Sequence, residues 1–338
     1  MKTFTIGTND ANQRFDKYLK KLLPNASVSF LYKMLRKKNI TLDGKKATGK
    51  ETLQKGAQVA VFFSDETLHK FMQDTKKLQE EFHMLQRLPM KGLSIIYEDT
   101  DILIADKPYN MLSQKAKEQD LSANEYLLGY LIRSGALSLE TFGTFRPSVC
   151  NRLDRNTTGL LLMGKTLAGA QMLSEGLRER TIHKFYRAIV SGNVTKPVHL
   201  SGWLIKDEHT NQVKILTQEQ KDAVRIETSY TSVQAKGTCS LLEICLITGK
   251  THQIRAHLAS VGHPVIGDRK YGDPSVNHKF YGTFHVDHQL RIVWNFRTEE
   301  FLLLRCPKYL KKLWKRSVDS RCRPGIQGDC ADQHWRIF

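Results

Sequence analysis

The 338-residue chain is long enough for about two domains, and its 40% hydrophobic content argues against global disorder. Its 52 Lys and Arg exceed its 34 Asp and Glu, so the net charge of +18 favours a polyanionic partner, either nucleic acid or an anionic membrane surface. No window reaches the ~18 apolar residues of a membrane-spanning helix and no signal-peptide core is present at the start, which predicts a cytoplasmic protein.

The first 61 residues hold half of the net charge, with thirteen Lys and Arg against four acidic residues. Apolar residues from Phe15 to Leu23 follow the spacing of an amphipathic helix that ends at Pro24. A second short helix is predicted around Phe30 to Leu35. Its other face and its end carry four cations, Lys33, Arg36, Lys37 and Lys38.

The sequence "ITLDGKKA" then predicts two strands joined by an Asp43–Gly44 turn, and "AQVAVFF" (57–63) predicts another strand. Two helices with a basic edge, followed by small strands, resemble the RNA-binding module of ribosomal protein S-four. The resemblance predicts an RNA-binding domain over residues 1–63, with the four cations on the RNA-contacting face. The alternative is a solvated basic face on a small domain.

Residues 64–91 are rich in charge and are predicted to be a linker that is partly helical. From 92 to about 310, short apolar runs are separated by turns. Ser122 and Glu125 have capping-box spacing before a helix, and Thr166 is a candidate helix cap. Strand-like runs outnumber helices and do not alternate with them, which predicts an α+β domain with a mixed, largely antiparallel sheet.

Four segments of this second domain stand out for their polar residues. They are "DKPYNMLSQ" (106–114), "CNRLDRNTTGLLLMGKT" (150–166), "HKFYRAIVSG" (183–192) and "ITGKTHQIRAHLASVGHPVIGDRKYG" (247–272). Taken alone, Asp154 is a turn residue and Tyr186 a half-buried strand aromatic. His252, His257 and His263 invite a metal site, but their spacing fits neither a helical pair nor a zinc finger.

Together, and in this order, the four segments resemble the RluA family of pseudouridine synthases. The family's His-Arg-Leu-Asp stretch corresponds to "NRLDRNTTGLLL", with Asn151 in place of histidine. Its Lys-x-Tyr segment corresponds to Lys184–Tyr186, and its last motif to "GKTHQIR" (249–255). The resemblance covers roughly residues 91–310, and the module before it matches the ribosomal-RNA branch of the family.

The resemblance implies an RNA-modifying isomerase that needs no cofactor and no metal. It assigns the catalytic carboxylate to Asp154 and the pairing cation to Arg255. Tyr186 is implied to offer an aromatic face to the uracil, and its phenol is a candidate for assisting removal of the proton on uracil C5. Arg152 is implied to fill the space of the flipped base, and Lys107 is a candidate phosphate or structural contact. Whether Asp154 attacks covalently or abstracts a sugar proton stays open.

Other functions are weighed against this one. A transfer-RNA uridine isomerase is disfavoured by the N-terminal module, and a non-catalytic RNA-binding protein by the joint presence of Asp154, Tyr186 and Arg255. A metal-dependent hydrolase lacks suitable ligand spacing. The expected partner is structured RNA, most simply ribosomal RNA, bound by a monomer. The basic tail at 311–338 has no assigned role, and the six cysteines are expected to be reduced thiols.

Overall fold

The computed structural model describes residues 1–72 and 74–280, together with the backbone of a short strand at 293–295. The chain forms two compact units. The first comprises Met1–Ile104, Ser113–Arg152 and Leu162–Ser174, and the second comprises Ala105–Leu112, Leu153–Leu161 and the described residues from Glu175 onward. The predicted boundaries at 63, 91 and 310 stay a prediction, and the predicted tail lies outside the described residues.

The elements of the N-terminal part of the chain are β1 (Lys2–Thr5), α1 (Phe15–Leu22), α2 (Val28–Arg36), β2 (Ile40–Leu42), β3 (Lys45–Lys46) and β4 (Gln58–Val61). The strands form one antiparallel sheet in the order β1-β4-β2-β3. Asp43 and Gly44 both have positive φ, as a tight hairpin turn between β2 and β3 requires. The two predicted helices and the predicted hairpin are therefore confirmed, whereas β1 was not predicted.

The apolar faces of α1 and α2 build the core of this part of the chain. Phe15 and Leu19 from α1, and Leu35 from α2, are almost fully buried and cluster with Val59 of β4. Because the apolar residues recur at helical spacing, each helix turns one face inward and leaves its cations outside.

Two helices follow, α3 (Asp65–Phe71) and α4 (Thr75–Gln86), so the helical part of the predicted linker is confirmed. Ser64 caps the first by accepting a hydrogen bond from the Thr67 amide, and Asp74 caps the second. Two apolar residues of α4, Phe82 and Leu85, are buried.

A second sheet contains β5 (Ser94–Glu98), β6 (Ile102–Lys107), β7 (Ser148–Val149) and β8 (Gly159–Gly164), in the order β5-β6-β8-β7. The helices α5 (Ala123–Arg133) and α6 (Leu139–Thr144) precede β7, and α7 (Leu167–Arg178) follows β8. The capping box of Ser122 and Glu125 is present at the start of α5. Thr166 Oγ1 accepts from the Gly169 amide, which confirms its capping role.

The third sheet contains β9 (His183–Ser191), β10 (Val198–Asp207), β11 (Gln212–Leu216), β12 (Val224–Lys236), β13 (Cys239–Leu246) and β14 (Val293–Asn295). All of its pairings are antiparallel, in the order β11-β10-β12-β13-β9-β14. The helices α8 (Gln253–Ser260) and α9 (Pro274–Phe280) follow β13. The α+β class with a largely antiparallel sheet is confirmed.

Ala256 of α8 clusters with Leu204, Val213 and Ile226 from the sheet, which fixes the first turn of this helix against β10, β11 and β12. Within the described ranges no helix is long and apolar enough to cross a membrane. Cys150, Cys239 and Cys245 are free thiols, and the three remaining cysteines lie outside these ranges.

Candidate active site

Asp154 lies in the loop that leads into β8. Its carbonyl accepts a 3.0 Å hydrogen bond from the Thr157 amide, which closes a turn directly after the carboxylate. Gly159 has a φ of 124°, a conformation that disfavours any residue with a Cβ, and it brings the chain from this turn into the buried strand. The Asp154 side chain is 33% exposed, so the turn presents a carboxylate that solvent reaches.

Arg255 in the first turn of α8 holds one oxygen of this carboxylate. Its Nη1 donates to Asp154 Oδ2 at 2.8 Å, so the pairing expected from the sequence is present. Its Nε and Nη2 donate to the two carboxylate oxygens of Asp268, at 2.7 and 3.0 Å. A bidentate contact of this kind fixes the guanidinium plane, and with it the position of Nη1.

Asp268 is fully buried, and hydrogen bonds from backbone amides fix the position of its carboxylate. Its Oδ1 also accepts from the amides of Lys270 and Tyr271, at 2.8 and 3.0 Å. Burial lowers the pKa of Arg255, but the hydrogen bonds and charge of Asp268, together with those of Asp154, outweigh burial and raise the pKa overall. The guanidinium therefore stays charged.

His252 precedes α8 directly and stands three residues before Arg255. Its Nε2 is 3.9 Å from Asp154 Oδ2, and its Nδ1 is 3.0 Å from the hydroxyl of Tyr271. The Tyr271 hydroxyl also accepts from the Val213 amide, which leaves its own proton available for Nδ1. Burial lowers the pKa of His252, so at neutral pH the imidazole carries no charge.

Tyr186 lies in the middle of β9, paired with Ile244 of β13, and is 6% exposed. Burial raises the pKa of its phenol, and the negative charge of Asp154 raises it further. The effect of the Asp154 charge on the pKa of Tyr186 indicates that the predicted carboxylate lies near the predicted aromatic residue. The phenol keeps its proton at neutral pH.

Lys107 at the end of β6 is fully buried beneath the Asp154 loop. Its Nζ donates to the carbonyls of Pro108, Met111 and Arg155, at 3.1, 2.8 and 3.0 Å. Burial lowers the pKa of Lys107 to about 7, while the charges of Asp154 and Asp106 act in the opposite direction. All three donors of the ammonium are used within the protein, which favours the structural role over contact with a phosphate.

Comparison with known proteins identifies the chemistry of such a site. A family model described as RNA pseudouridylate synthase matches residues 101–260. An uncharacterised RNA pseudouridine synthase from Mycoplasma pneumoniae is 30% identical over 278 residues, which cover 79% of this chain and 80% of the relative. The chain belongs to the RNA pseudouridine synthase family. It is an isomerase that converts uridine to pseudouridine in RNA.

Two further relatives of this synthase are named for their substrate. Ribosomal large subunit pseudouridine synthase D of Nitrosomonas europaea is 29% identical over 275 residues, covering 80% of this chain and 73% of the relative. Ribosomal large subunit pseudouridine synthase C of Rickettsia bellii is 27% identical over 305 residues, covering 89% and 96%. The solved structure of human RNA pseudouridylate synthase domain containing 1 covers 71% of this chain and 99% of its own, with a TM-score of 0.51 and 21% identity, and supports the fold.

The remaining predicted site residues of the synthase lie in the first compact unit. Arg152 is exposed, as are the cations of α2 and its end, Lys33, Arg36, Lys37 and Lys38. Asn151 stands in place of the family histidine. Its Oδ1 accepts a 2.8 Å hydrogen bond from the amide of Leu162 in β8. Asn151 is thus bonded to the backbone of the strand that follows the loop.

Sequence reasoning missed the parts of the synthase that surround Asp154 and Arg255. Asp268 and Tyr271 come from "GDRKYG" at the end of the fourth segment, and neither residue was assigned a role from the sequence. The helix α8 was not predicted, although "QIRAHLAS" places Ile254 and Leu258 four residues apart. Within the described part of the chain, no group of three or more His, Cys, Asp or Glu could hold a metal ion.

Proposed function

We propose that this chain isomerises a uridine of large-subunit ribosomal RNA and that Asp154 is its catalytic carboxylate. One observation carries the assignment: Arg255 holds Asp154 Oδ2, while the side chain stays one-third exposed. A carboxylate fixed by one oxygen and open to solvent suits a reaction that occurs on a base delivered from outside.

The reaction breaks the bond between ribose C1′ and uracil N1, turns the base, and joins C1′ to C5. The proton on C5 is lost and N1 regains one, so the atoms balance and no oxidant or energy source is consumed. Asp154 acts at the sugar, either by attacking C1′ or by removing a proton from the ribose. Both routes need an ionised carboxylate next to a bound nucleoside.

Tyr186 contacts the uracil ring in this proposal. The high pKa of the phenol disfavours its use as a general base, because the group stays protonated at neutral pH. The aromatic face suits stacking on the base, which contributes about 1–3 kcal/mol. We therefore assign Tyr186 to holding the uracil rather than to removing the C5 proton.

RNA binding outside the reacting base relies on exposed cations. The N-terminal module, with its two helices and antiparallel sheet, provides four of them at Lys33, Arg36, Lys37 and Lys38. Such contacts go to backbone phosphates and set affinity and orientation rather than sequence choice. Arg152 is assigned to the space that the target base leaves on flipping, which costs a few kcal/mol.

The ribosomal substrate rests on the relatives named as large-subunit enzymes and on the N-terminal module. A transfer-RNA uridine isomerase is the alternative. A monomer in the cytoplasm belongs to the same proposal, since an enzyme that docks on a large folded RNA needs no second copy to complete the site described above.

The test uses Asp154→Asn in the full chain, with transcribed large-subunit ribosomal RNA and bulk transfer RNA as parallel substrates. We expect the wild type to form pseudouridine in the ribosomal transcript, and the variant to bind that RNA normally and form no product. Normal turnover by the variant would contradict the catalytic assignment. Product in transfer RNA alone would contradict the substrate assignment.

A further inference from the structure

Lys184 lies on β9 two residues before Tyr186. Side chains alternate between the two faces of a strand, so these two point to the same face. Two residues of a strand span ~7 Å. The ammonium of Lys184 thus belongs to the same face as the aromatic residue assigned to the uracil.

Among the residues that the structure describes, those around Lys184 leave room for its side chain and place no carboxylate against it. It is half-buried, and a Cβ placed on Gly249 would lie 2.8 Å from its Nζ, so a glycine suits this close approach. Within residues 1–72 and 74–280, no carboxylate forms an ion pair with it. Its electrostatic neighbours are Arg180, a cation, and the thiol of Cys245.

This arrangement is unfavourable for the free protein. Burial lowers the pKa of Lys184, and the charge of Arg180 lowers it further. Burial also raises the pKa of the Cys245 thiol, so at neutral pH this neighbour is uncharged and does not act as a counter-ion. A partly desolvated cation beside a second cation costs free energy unless an anion compensates both.

We propose that Lys184 binds a backbone phosphate of the RNA next to the target uridine. The proposal rests on the proposed function, because it takes Tyr186 as the contact of the uracil. When RNA is bound, a phosphate that flanks the target uridine supplies negative charge at the face of β9 that carries Lys184 and Tyr186. The contact positions the RNA backbone and carries no information about the base sequence.

The test measures how salt affects RNA binding by the full chain. The probe is a fluorescein-labelled oligouridylate of ten nucleotides, titrated by anisotropy at several KCl concentrations. Lys184→Met removes the charge, Lys184→Arg keeps it, and Lys196→Met is the matched control on an exposed lysine of the same unit. One lost contact with a single strand reduces the slope of log K against log salt by ~0.7.

We expect the shallower slope for Lys184→Met alone, with the wild-type slope for Lys196→Met and Lys184→Arg. We also expect Lys184→Met to raise the thermal midpoint, because it replaces a half-buried cation by an apolar side chain. An unchanged slope, or the same loss in the Lys196→Met control, would overturn the proposal. A lower midpoint with a shallower slope would assign the loss to misfolding and would overturn it too.

Thermal unfolding with and without inorganic phosphate distinguishes a site for RNA from a site for the free anion. If Lys184 bound only the free anion, millimolar phosphate would stabilise the wild type more than Lys184→Met, while the RNA slopes stayed equal. This outcome would also overturn the proposal. Oligouridylate is not ribosomal, so the result does not depend on the ribosomal substrate, and turnover by Asp154→Asn is measured separately.

Discussion

Arg255 contacts Asp268 and Asp154 with different nitrogens of one guanidinium group. Two nitrogens meet both oxygens of the buried Asp268, and the third meets one oxygen of Asp154. The buried carboxylate therefore orients the arginine, and the arginine orients the exposed carboxylate. Oδ2 of Asp154 serves this contact, and we expect Oδ1 to face the substrate.

Replacing Arg255 by lysine tests this arrangement, because lysine keeps the charge but loses the planar fork. A single ammonium does not reproduce three donors directed at two carboxylates, so we expect Asp154 to lose its fixed position. A misplacement of ~1 Å costs about 100-fold in rate. Single-turnover formation of pseudouridine should fall by about this factor, with RNA affinity nearly unchanged.

Arg225→Lys is the matched control, since Arg225 is an exposed arginine that pairs with Glu227 at 3.0 Å. Arg225→Lys should leave the single-turnover rate within a factor of two of the wild type, because exposed ion pairs contribute little to stability. A wild-type rate in Arg255→Lys would show that the charge alone suffices and that the fork has no role.

The ion pair of Asp154 and Arg255 could be predicted from the sequence, but the residues that hold it could not. Asp154 and Arg255 stand in motifs that resemble those of a known family, and this resemblance implied their pairing across about a hundred residues. Asp268 is an acidic residue in a turn-like segment, and its burial depends on α8 and α9, which local patterns did not reveal. The position of Lys107 beneath the loop likewise depends on the tertiary fold.

Lys107→Met separates the structural and phosphate-binding roles considered for this residue. Its Nζ donates to three buried or partly buried carbonyls, and removing it leaves them without this donor, at a cost of about 3 kcal/mol in the free energy of unfolding. We expect a lower thermal midpoint and a lower single-turnover rate, because the Asp154 loop loses its support. The salt dependence of RNA binding should stay as in the wild type.

The phosphate-binding role predicts the opposite pattern for the same variant. The midpoint would then be unchanged or higher, and the slope of log K against log salt would become shallower by ~0.7–0.9. Melting curves and RNA titrations on one preparation distinguish the two outcomes.

The cations of α2 and its end are expected to anchor structured RNA. The variant changes all four to glutamine, namely Lys33, Arg36, Lys37 and Lys38. Loss of four phosphate contacts should reduce the salt slope by about 3. The measurement is filter binding of a folded ribosomal RNA fragment at several KCl concentrations, with the midpoint of unfolding recorded in parallel.

A second set of four exposed lysines provides a control with the same change of net charge. It consists of Lys76, Lys77, Lys115 and Lys117. An equal effect of both sets would mean that net charge alone sets affinity, and would contradict a specific N-terminal contact surface.

His257 makes the stability of the fold depend on pH. It is 2% exposed in α8, with Nδ1 3.1 Å from the hydroxyl of Thr228, and burial lowers its pKa to about 4. An unfolded histidine has a pKa of about 6.5, so between these values the unfolded chain binds a proton that the folded chain does not. Stability from this group is complete above ~6.5 and falls as the pH decreases toward 4.

At pH 5 the expected loss from His257 is about 2 kcal/mol, visible as a lower thermal midpoint than at pH 7.5. His257→Gln cannot titrate, so its midpoint should be lower than that of the wild type at pH 7.5 but should change less on acidification. His209→Gln, at an exposed position, should keep the wild-type pH dependence. If His257→Gln and the wild type lost the same stability between pH 7.5 and 5, the buried neutral imidazole would not be the group responsible.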